Sequence, residues 1–191
     1  MALFPREEIK RKLFHQLILL YAIAYWFLDA GLVVSVLSVL FLLVVIGEVL
    51  RHKNKRFNQF ILKILGGVHR EEESSKISGL PWTLSGSIIT MLLFKDKTIV
   101  FSSLLFLVFG DTFAALIGKG YGKHKLWFGK SLEGSFACFV ICFLIALFFF
   151  NIWLSLIIAL IVAVIEFIPW PLNDNFWIPI ITASAVTFIL R

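Results

Sequence analysis

Charge is scarce in this chain. Asp, Glu, Lys and Arg make up 16% of its 191 residues, against about a quarter in ordinary soluble domains. With 60% of the residues hydrophobic, a domain of this length has too little interior to hide its apolar surface from water. A soluble globular enzyme and a disordered chain are both excluded. Cysteine is scarce too. Cys138 and Cys142 lie four apart in an apolar run, on one face of one helix. That is a poor disulfide site, so a disulfide scaffold is excluded and both read as packing residues. Low-complexity segments, convincing repeats and any stretch able to form a soluble domain are lacking, and nothing points to a nucleic-acid partner. What the chain has in abundance is apolar aromatic surface, with 21 Phe and six Trp. The expectation is an all-α polytopic integral membrane protein, a single transmembrane domain over 1–191.

A span needs roughly 20 apolar residues, with about 17 as the lower end. The first is about Leu13–Leu28, read as a retained span despite a loose likeness to a secretory signal. Asp29, Ala30 and Gly31 turn the chain into a second at about Leu32–Gly47, ending at Glu48. A polar stretch follows. Phe57, Phe60, Ile61, Ile64 and Leu65 recur within it at helical spacing, as in an interfacial amphipathic helix. The third span is about Gly79–Phe94, and the fourth runs from Thr98 to about Ile117 with Asp111 inside it. Gly134–Ile165 then carries no charge for 32 residues. As one helix it would be roughly 48 Å long, beyond a hydrocarbon core of about 30 Å. It must fold back near Asn151, giving spans at about Ser135–Phe150 and Ile152–Ile168. Pro169-Trp170-Pro171 stops the sixth, and the seventh is about Asn175–Leu190.

Seven spans put 15 basic residues on one side and Lys95, Lys97 and Arg191 on the other. The positive-inside rule then predicts a cytoplasmic N-terminus, an outside C-terminus, and cytoplasmic segments at about 51–78, 118–133 and 169–174. Ten of the twelve acids fall on or near the cytoplasmic side. Glu7, Glu8 and Glu71–Glu73 read as interface residues. Asp111 does not, because an acid inside an apolar segment costs about 2.5–3.5 kcal/mol on insertion scales and marks a functional site. Glu166 draws the same reading.

In Gly118-Lys119-Gly120-Tyr121-Gly122-Lys123-His124-Lys125, alternate glycines can bring amides close to an anion, and lysines add positive charge. A loop binding lipid headgroups has the same composition. Gly129-Lys130-Ser131 is not a P-loop, since that motif needs glycine where His124 stands. Lys130-Ser131-Leu132-Glu133-Gly134-Ser135 opens the fifth span, where a helix N-terminus suits phosphate. One face thus gathers carboxylates at 111, 133, 166 and 174 with lysines at 119, 123, 125 and 130. Acids can hold Mg²⁺, and lysines and amides can hold phosphates. The combination reads as phosphoryl or nucleotidyl transfer at a membrane surface.

These pieces resemble the polyprenol kinase family, which includes dolichol kinase, phytol kinase and the CTP-dependent diacylglycerol kinases of fungi. The resemblance rests on Glu8-Ile9-Lys10-Arg11-Lys12-Leu13-Phe14-His15, Glu48 with Arg51, and Gly110-Asp111-Thr112-Phe113-Ala114-Ala115-Leu116-Ile117-Gly118. It continues through Tyr121-Gly122-Lys123, Lys130 to Ser135, Glu166, Asp174-Asn175 and Pro179. It implies a kinase that passes the γ-phosphate of CTP, with Mg²⁺ or another divalent cation, to the hydroxyl of a lipid alcohol: a polyprenol, a phytol-like isoprenoid alcohol or diacylglycerol. Asp111, Lys130, Glu133, Asp174 and Asn175 would then belong to the nucleotide and metal site.

On this reading Asp111 and Asp174 bind metal, with either able to act as base, and Glu133 is metal ligand or base. Lys123, Lys130, Ser131 and the backbone at Gly118, Gly120 and Gly122 hold phosphates. Asn175 binds nucleotide or caps the seventh span. Lys12, His15, Glu48, Arg51 and Glu166 are further candidates, His15 being either an interfacial or a catalytic residue. The site would face the cytoplasm, in the cell membrane of a prokaryote or the endoplasmic reticulum of a eukaryote. The alternatives are a CDP-diacylglycerol synthase-like cytidylyltransferase and a small transporter using Asp111 and Glu166 as a proton relay. The synthases carry a histidine and an Asp-Arg pair near the C-terminus, whereas Pro171 to Phe176 here has neither.

Overall fold

Backbone polar groups that cannot reach water must be satisfied within their own segment, and an apolar chain does this most simply as helix. The computed structural model describes residues 6–64, 77–126, 129–170 and 172–190. Among them are ten α-helices, one π-helical turn and no strand beyond an isolated bridge between Lys125 and Ser131. The all-α expectation holds. Glu71–Glu73, Lys76, Leu65, Pro171 and Arg191 lie outside the described residues.

The helices are α1 (Arg6–His15), α2 (Ile18–Phe27), α3 (Ala30–Lys53), α4 (Lys55–Ile64), α5 (Gly79–Leu93), α6 (Lys97–Leu105), α7 (Asp111–Gly120), α8 (Leu132–Ala146), α9 (Ile152–Phe167) and α10 (Asp174–Ile189). The π-turn Phe106–Gly110 joins α6 to α7 without a break. Side chains cap the turns read from sequence. Asp29 accepts from the amide of Leu32, Asp96 from Thr98 and Ile99, and Asn151 from Leu154. Each supplies an orphan amide with an acceptor, which fixes where the helix starts.

The first apolar segment departs from the expected single span. Its α-helical ladder breaks at Gln16 and Leu17, where i→i+3 bonds join α1 to α2. The physical reason lies in α7. Gln16 Nε2 donates to Thr112 Oγ1 at 3.0 Å, and Lys119 reaches Glu8 at 2.7 Å. Two polar ties at opposite ends hold α1 along α7.

Two segments, Ala30–Lys53 and Lys97–Gly120, are long and apolar enough to cross a membrane. Gly79–Leu93, Leu132–Ala146, Ile152–Phe167 and Asp174–Ile189 are shorter apolar helices. Along α3 only Val33, Leu37 and Arg51 are buried inside the protein. Leu20, Phe27, Leu43, Phe136, Phe148, Trp153 and Phe188 are also exposed, which suits an apolar solvent better than water.

Two apolar clusters hold the helices together. One gathers the π-turn with α8, α9 and α10, and the other α2, α3, α5 and α6. The crossing of α7 on α8 is built from small residues. Gly110, Ala114 and Gly118 recur every fourth position and face Gly134, Cys138 and Cys142, with the same spacing. A Cβ on Gly134 would lie 2.7 Å from the carbonyl oxygen of Ala114, and one on Gly110 would lie 3.0 Å from Cys142 Sγ. Without a hydrophobic drive between helices in lipid, such close backbone approach supplies the packing. Both cysteines are free and buried there. In α5 the buried Ser87 and Thr90 hydroxyls bond back to carbonyls one turn earlier, at 2.8 and 2.7 Å. They stay satisfied without water.

Candidate functional site

Three helix ends converge on one point. Asp111 opens α7 immediately after the π-turn, Glu166 sits in the last turn of α9, and Asp174 opens α10. One carboxylate oxygen from each lies within 4.8 Å of the others. Asp174 is favoured there by the positive end of the α10 dipole. Asn173 caps α10 by accepting from the amide of Asn175 at 3.0 Å. The cap expected at Asn175 therefore falls to Asn173. That leaves Asn175 Oδ1 buried with no hydrogen-bond partner.

Lysines answer the three acids from two directions. Lys130, in the loop before α8, forms an ion pair with Glu166 and lies 3.5 Å from Asp174 Oδ2. Burial disfavours its charge, but Glu166 and then Asp174 outweigh burial, so its amine titrates above the ordinary lysine range. From α1, Lys12 Nζ lies 2.5 Å from Asp111 Oδ2, and both side chains are largely withdrawn from solvent. His15 Nε2 is 3.4 Å from the same oxygen but makes no hydrogen bond. The break at Gln16 lets α1 deliver both residues.

Glu133 lies outside this group. Its Oε1 accepts from the amides of Lys123 and His124, both at 3.1 Å, and meets His124 Nδ1 at 2.8 Å. It shapes the loop from within. Ser131 is the N-cap of α8, accepting from Gly134 at 3.2 Å. Gly118 and Gly120 belong to the last turns of α7, a helix end that presents carbonyls rather than amides. Gly122 must be glycine, because a Cβ there would fall 2.1 Å from the Gly118 carbonyl oxygen. Lys119 is engaged by Glu8, while Lys123 and Lys125 are exposed. Glu48 and Arg51 form a separate pair at 2.7 Å, and Glu48 also accepts from Ser78 N and Oγ, tying α3 to the start of α5.

A cavity of about 490 Å³ leads away from Asp111, Asp174 and Asn175. It runs between α2, α3 and α5, and Leu20, Leu37, Leu40, Val44 and Leu84 line it. Neither this cavity nor the α7–α8 stripe of small residues was read from the sequence. The stripe had a signal, small residues at every fourth position in two segments. The cavity had none.

Comparison with known proteins bears on what these groups serve. No family model matches the chain, and no solved structure matches it. It is 31% identical over 147 residues to CTP-dependent diacylglycerol kinase 1 of Schizosaccharomyces pombe, covering 72% of this chain and 66% of that protein. With the protein of the same name from Saccharomyces cerevisiae it shares 32% over 143 residues, covering 71% and 48%. An uncharacterized protein of Methanocaldococcus jannaschii is 31% identical over 147 residues, 75% of each chain. The chain belongs to the polyprenol kinase family. It spans about two thirds of the S. pombe relative and under half of the S. cerevisiae one.

In this member of the polyprenol kinase family, Asp111, Glu166 and Asp174 are the residues suited to a divalent cation. Hard cations take oxygen ligands, and three carboxylates in reach of one point are such a set. Among the described residues, Lys12 and Lys130 pair with them directly, and His15 stands 3.4 Å from Asp111.

Proposed function

We propose that this chain is a CTP-dependent lipid kinase that transfers the γ-phosphate of CTP to the hydroxyl of a membrane lipid alcohol. The observation that carries the reading is the acidic cluster of Asp111, Glu166 and Asp174, held by Lys130 at the head of an apolar cavity. The fungal relatives, named CTP-dependent diacylglycerol kinases, support the donor and a lipid acceptor. Asp111 and Asp174 line the cavity, whereas Glu166 does not. The acceptor therefore approaches from the Asp111–Asp174 side and the nucleotide from the Glu166–Lys130 side.

The acceptor hydroxyl oxygen attacks the γ-phosphorus. The bond from that phosphorus to the β–γ bridging oxygen breaks, and CDP leaves with the electron pair. The hydroxyl proton passes to Asp174, whose basic partner among the described residues is Lys130 at 3.5 Å, whereas Asp111 is held more closely by Lys12. Lys130 exchanges a carboxylate for a phosphate oxygen, and Lys123 adds charge from the loop. Mg²⁺ held by Asp111 and Glu166 would neutralise the triphosphate charge that opposes transfer, leaving Asp174 for the proton. The remaining residues position: α10 sets Asp174 and Asn175, and α1 sets Lys12 and His15.

The orientation in this proposal is seven spans with the N-terminus and the site on the cytoplasmic face, following the bias of basic residues. The test uses purified protein in detergent with Mg²⁺, mixed lipid alcohols and a lipid phosphate such as phosphatidic acid, and CTP labelled in either the γ-phosphate or the cytosine. Lipid carrying γ-label is the expected product. Lipid carrying the cytosine label would make the chain a cytidylyltransferase, and unlabelled lipid would remove both activities.

A further inference from the structure

The cavity between α2, α3 and α5 is apolar, and the polar groups of its wall are mostly satisfied by the protein. Tyr21 Oη pairs with Ser87 Oγ at 2.9 Å, Thr83 Oγ1 donates to the Gly79 carbonyl at 3.1 Å, and Ser78 bonds Glu48. Three residues lining it carry buried polar atoms with no hydrogen-bond partner: Arg11 Nε, His15 Nε2 and Asn175 Oδ1. The Arg11 guanidinium is already engaged by Glu8. The His15 side chain is only 9% exposed. A buried polar atom left without a partner is unfavourable by more than a typical hydrogen bond contributes, so both His15 and Asn175 are set for something that enters. One is an imidazole nitrogen that can donate, the other an amide oxygen that accepts. A single hydroxyl matches that pair, because it accepts and donates at one atom.

The other end of the cavity identifies the rest of the ligand. Leu17, Leu20 and Leu40 line it and are about half exposed, at 47%, 66% and 44%. The opening therefore lies sideways between α2 and α3, on the apolar flank.

We propose that this cavity is the acceptor site. The hydrocarbon chain of the lipid alcohol enters laterally between α2 and α3. Its hydroxyl accepts from His15 Nε2 and rests its hydrogen on Asn175 Oδ1, beside Asp111 and Asp174, and that hydrogen turns to Asp174 when the oxygen attacks. This rests on the kinase reading and adds to it the residues that recognise the acceptor. It also moves Asn175 from nucleotide to acceptor.

The test measures steady-state kinetics of the full chain in detergent, with CTP, Mg²⁺ and geranylgeraniol as the probe alcohol. His15→Phe and Asn175→Leu should each raise the KM for the alcohol about tenfold, the loss expected for one buried hydrogen bond, and leave the KM for CTP unmoved. His15→Gln, which restores a donor, should recover most of the loss. Leu40→Trp narrows the exposed rim without touching the core and should raise the alcohol KM alone. A shift in the KM for CTP, or an unchanged alcohol KM in all three, overturns the acceptor site. If the wild type transfers no phosphate, a diazirine-bearing long-chain alcohol decides. Crosslinks to α2, α3 and α5 that geranylgeraniol competes away and Leu40→Trp abolishes keep the site while the kinase reading falls. Crosslinks elsewhere overturn it.

Discussion

Lys130 and Glu166, 36 residues apart in the chain, form an ion pair in which the lysine is 30% exposed and the glutamate 4%. The contact joins the loop before α8 to the end of α9. Removing the lysine leaves a buried carboxylate unmatched. Lys130→Ala should lower stability by about 1–2 kcal/mol, discounted from the roughly 3–5 of a fully buried pair because Lys130 keeps water contact. Adding Glu166→Gln should restore the melting temperature but not phosphoryl transfer. Thermal melts and CTP titrations on the same preparations check this. Recovery of activity in the double variant would take Lys130 out of the phosphate site.

Asp111 and Asp174 should behave differently when neutralised. Asp111→Asn strands Lys12, which is 4% exposed, and should melt early, by about 3 kcal/mol. Asp174→Asn strands nothing so deeply buried and should melt like the wild type. Both should lose about 100-fold to 1,000-fold in turnover, the range for removing a preorganised electrostatic contact. Lys12→Met should rescue the stability of Asp111→Asn and not its turnover. If Asp111→Asn and Asp174→Asn melt alike, the Lys12–Asp111 pair does not contribute to stability.

Glu8 gives the protein an acid-sensitive tie. Burial raises its pKa, but Lys119 and Arg11 outweigh burial and hold it below its ordinary 4.5. A carboxylate with a depressed folded pKa contributes stability that is complete above the unfolded value and is lost as pH falls through the folded one. Protection of the α1 amides, taken relative to the intrinsic exchange rate at each pH, should therefore be constant from pH 7 down to about 4.5 and fall below it. Glu8→Gln should show fast exchange at every pH. A wild-type profile that begins to loosen near pH 6 would assign the tie to another group.

Glu133 is placed to order the loop rather than to meet metal. Glu133→Ala should speed exchange of the Lys123 and His124 amides and weaken CTP binding, while the Mg²⁺ dependence of the remaining activity stays unchanged. A changed Mg²⁺ dependence would return Glu133 to the metal site expected from sequence.

Much of the helix layout was legible because its signals are local. Asp29, Asp96 and Asn151 are polar residues between apolar runs, and each became a cap at the expected turn. The acids at 111 and 166 stood out because charge inside apolar sequence is expensive. The topology put the acids at 111, 166 and 174 on one face, but it put Glu133 with them, and its separation was not legible. Glu133 and Glu166 look alike in sequence, and only the return of α9 towards Lys130 separates them. Nor could the first apolar run reveal its break, since Gln16 is held by Thr112, 96 residues away. Asn173 and Asn175 are chemically identical cap candidates, and the choice between them depends on backbone angles at the start of α10.

The π-turn makes the alignment of the site a matter of counting. Phe106–Gly110 fits one more residue into its turn than an α-helix would. Because the surplus is taken up within the wide turn, deleting one of these five would let the ladder close to an α-turn and leave Asp111 near its present facing. Deleting one residue from α6 instead would swing Asp111, with Gly110, Ala114 and Gly118, by about 100° around the helix axis relative to the turns before it. The wide turn is thus a place where the chain can lose a residue and keep both the facing of a carboxylate and the seam with α8.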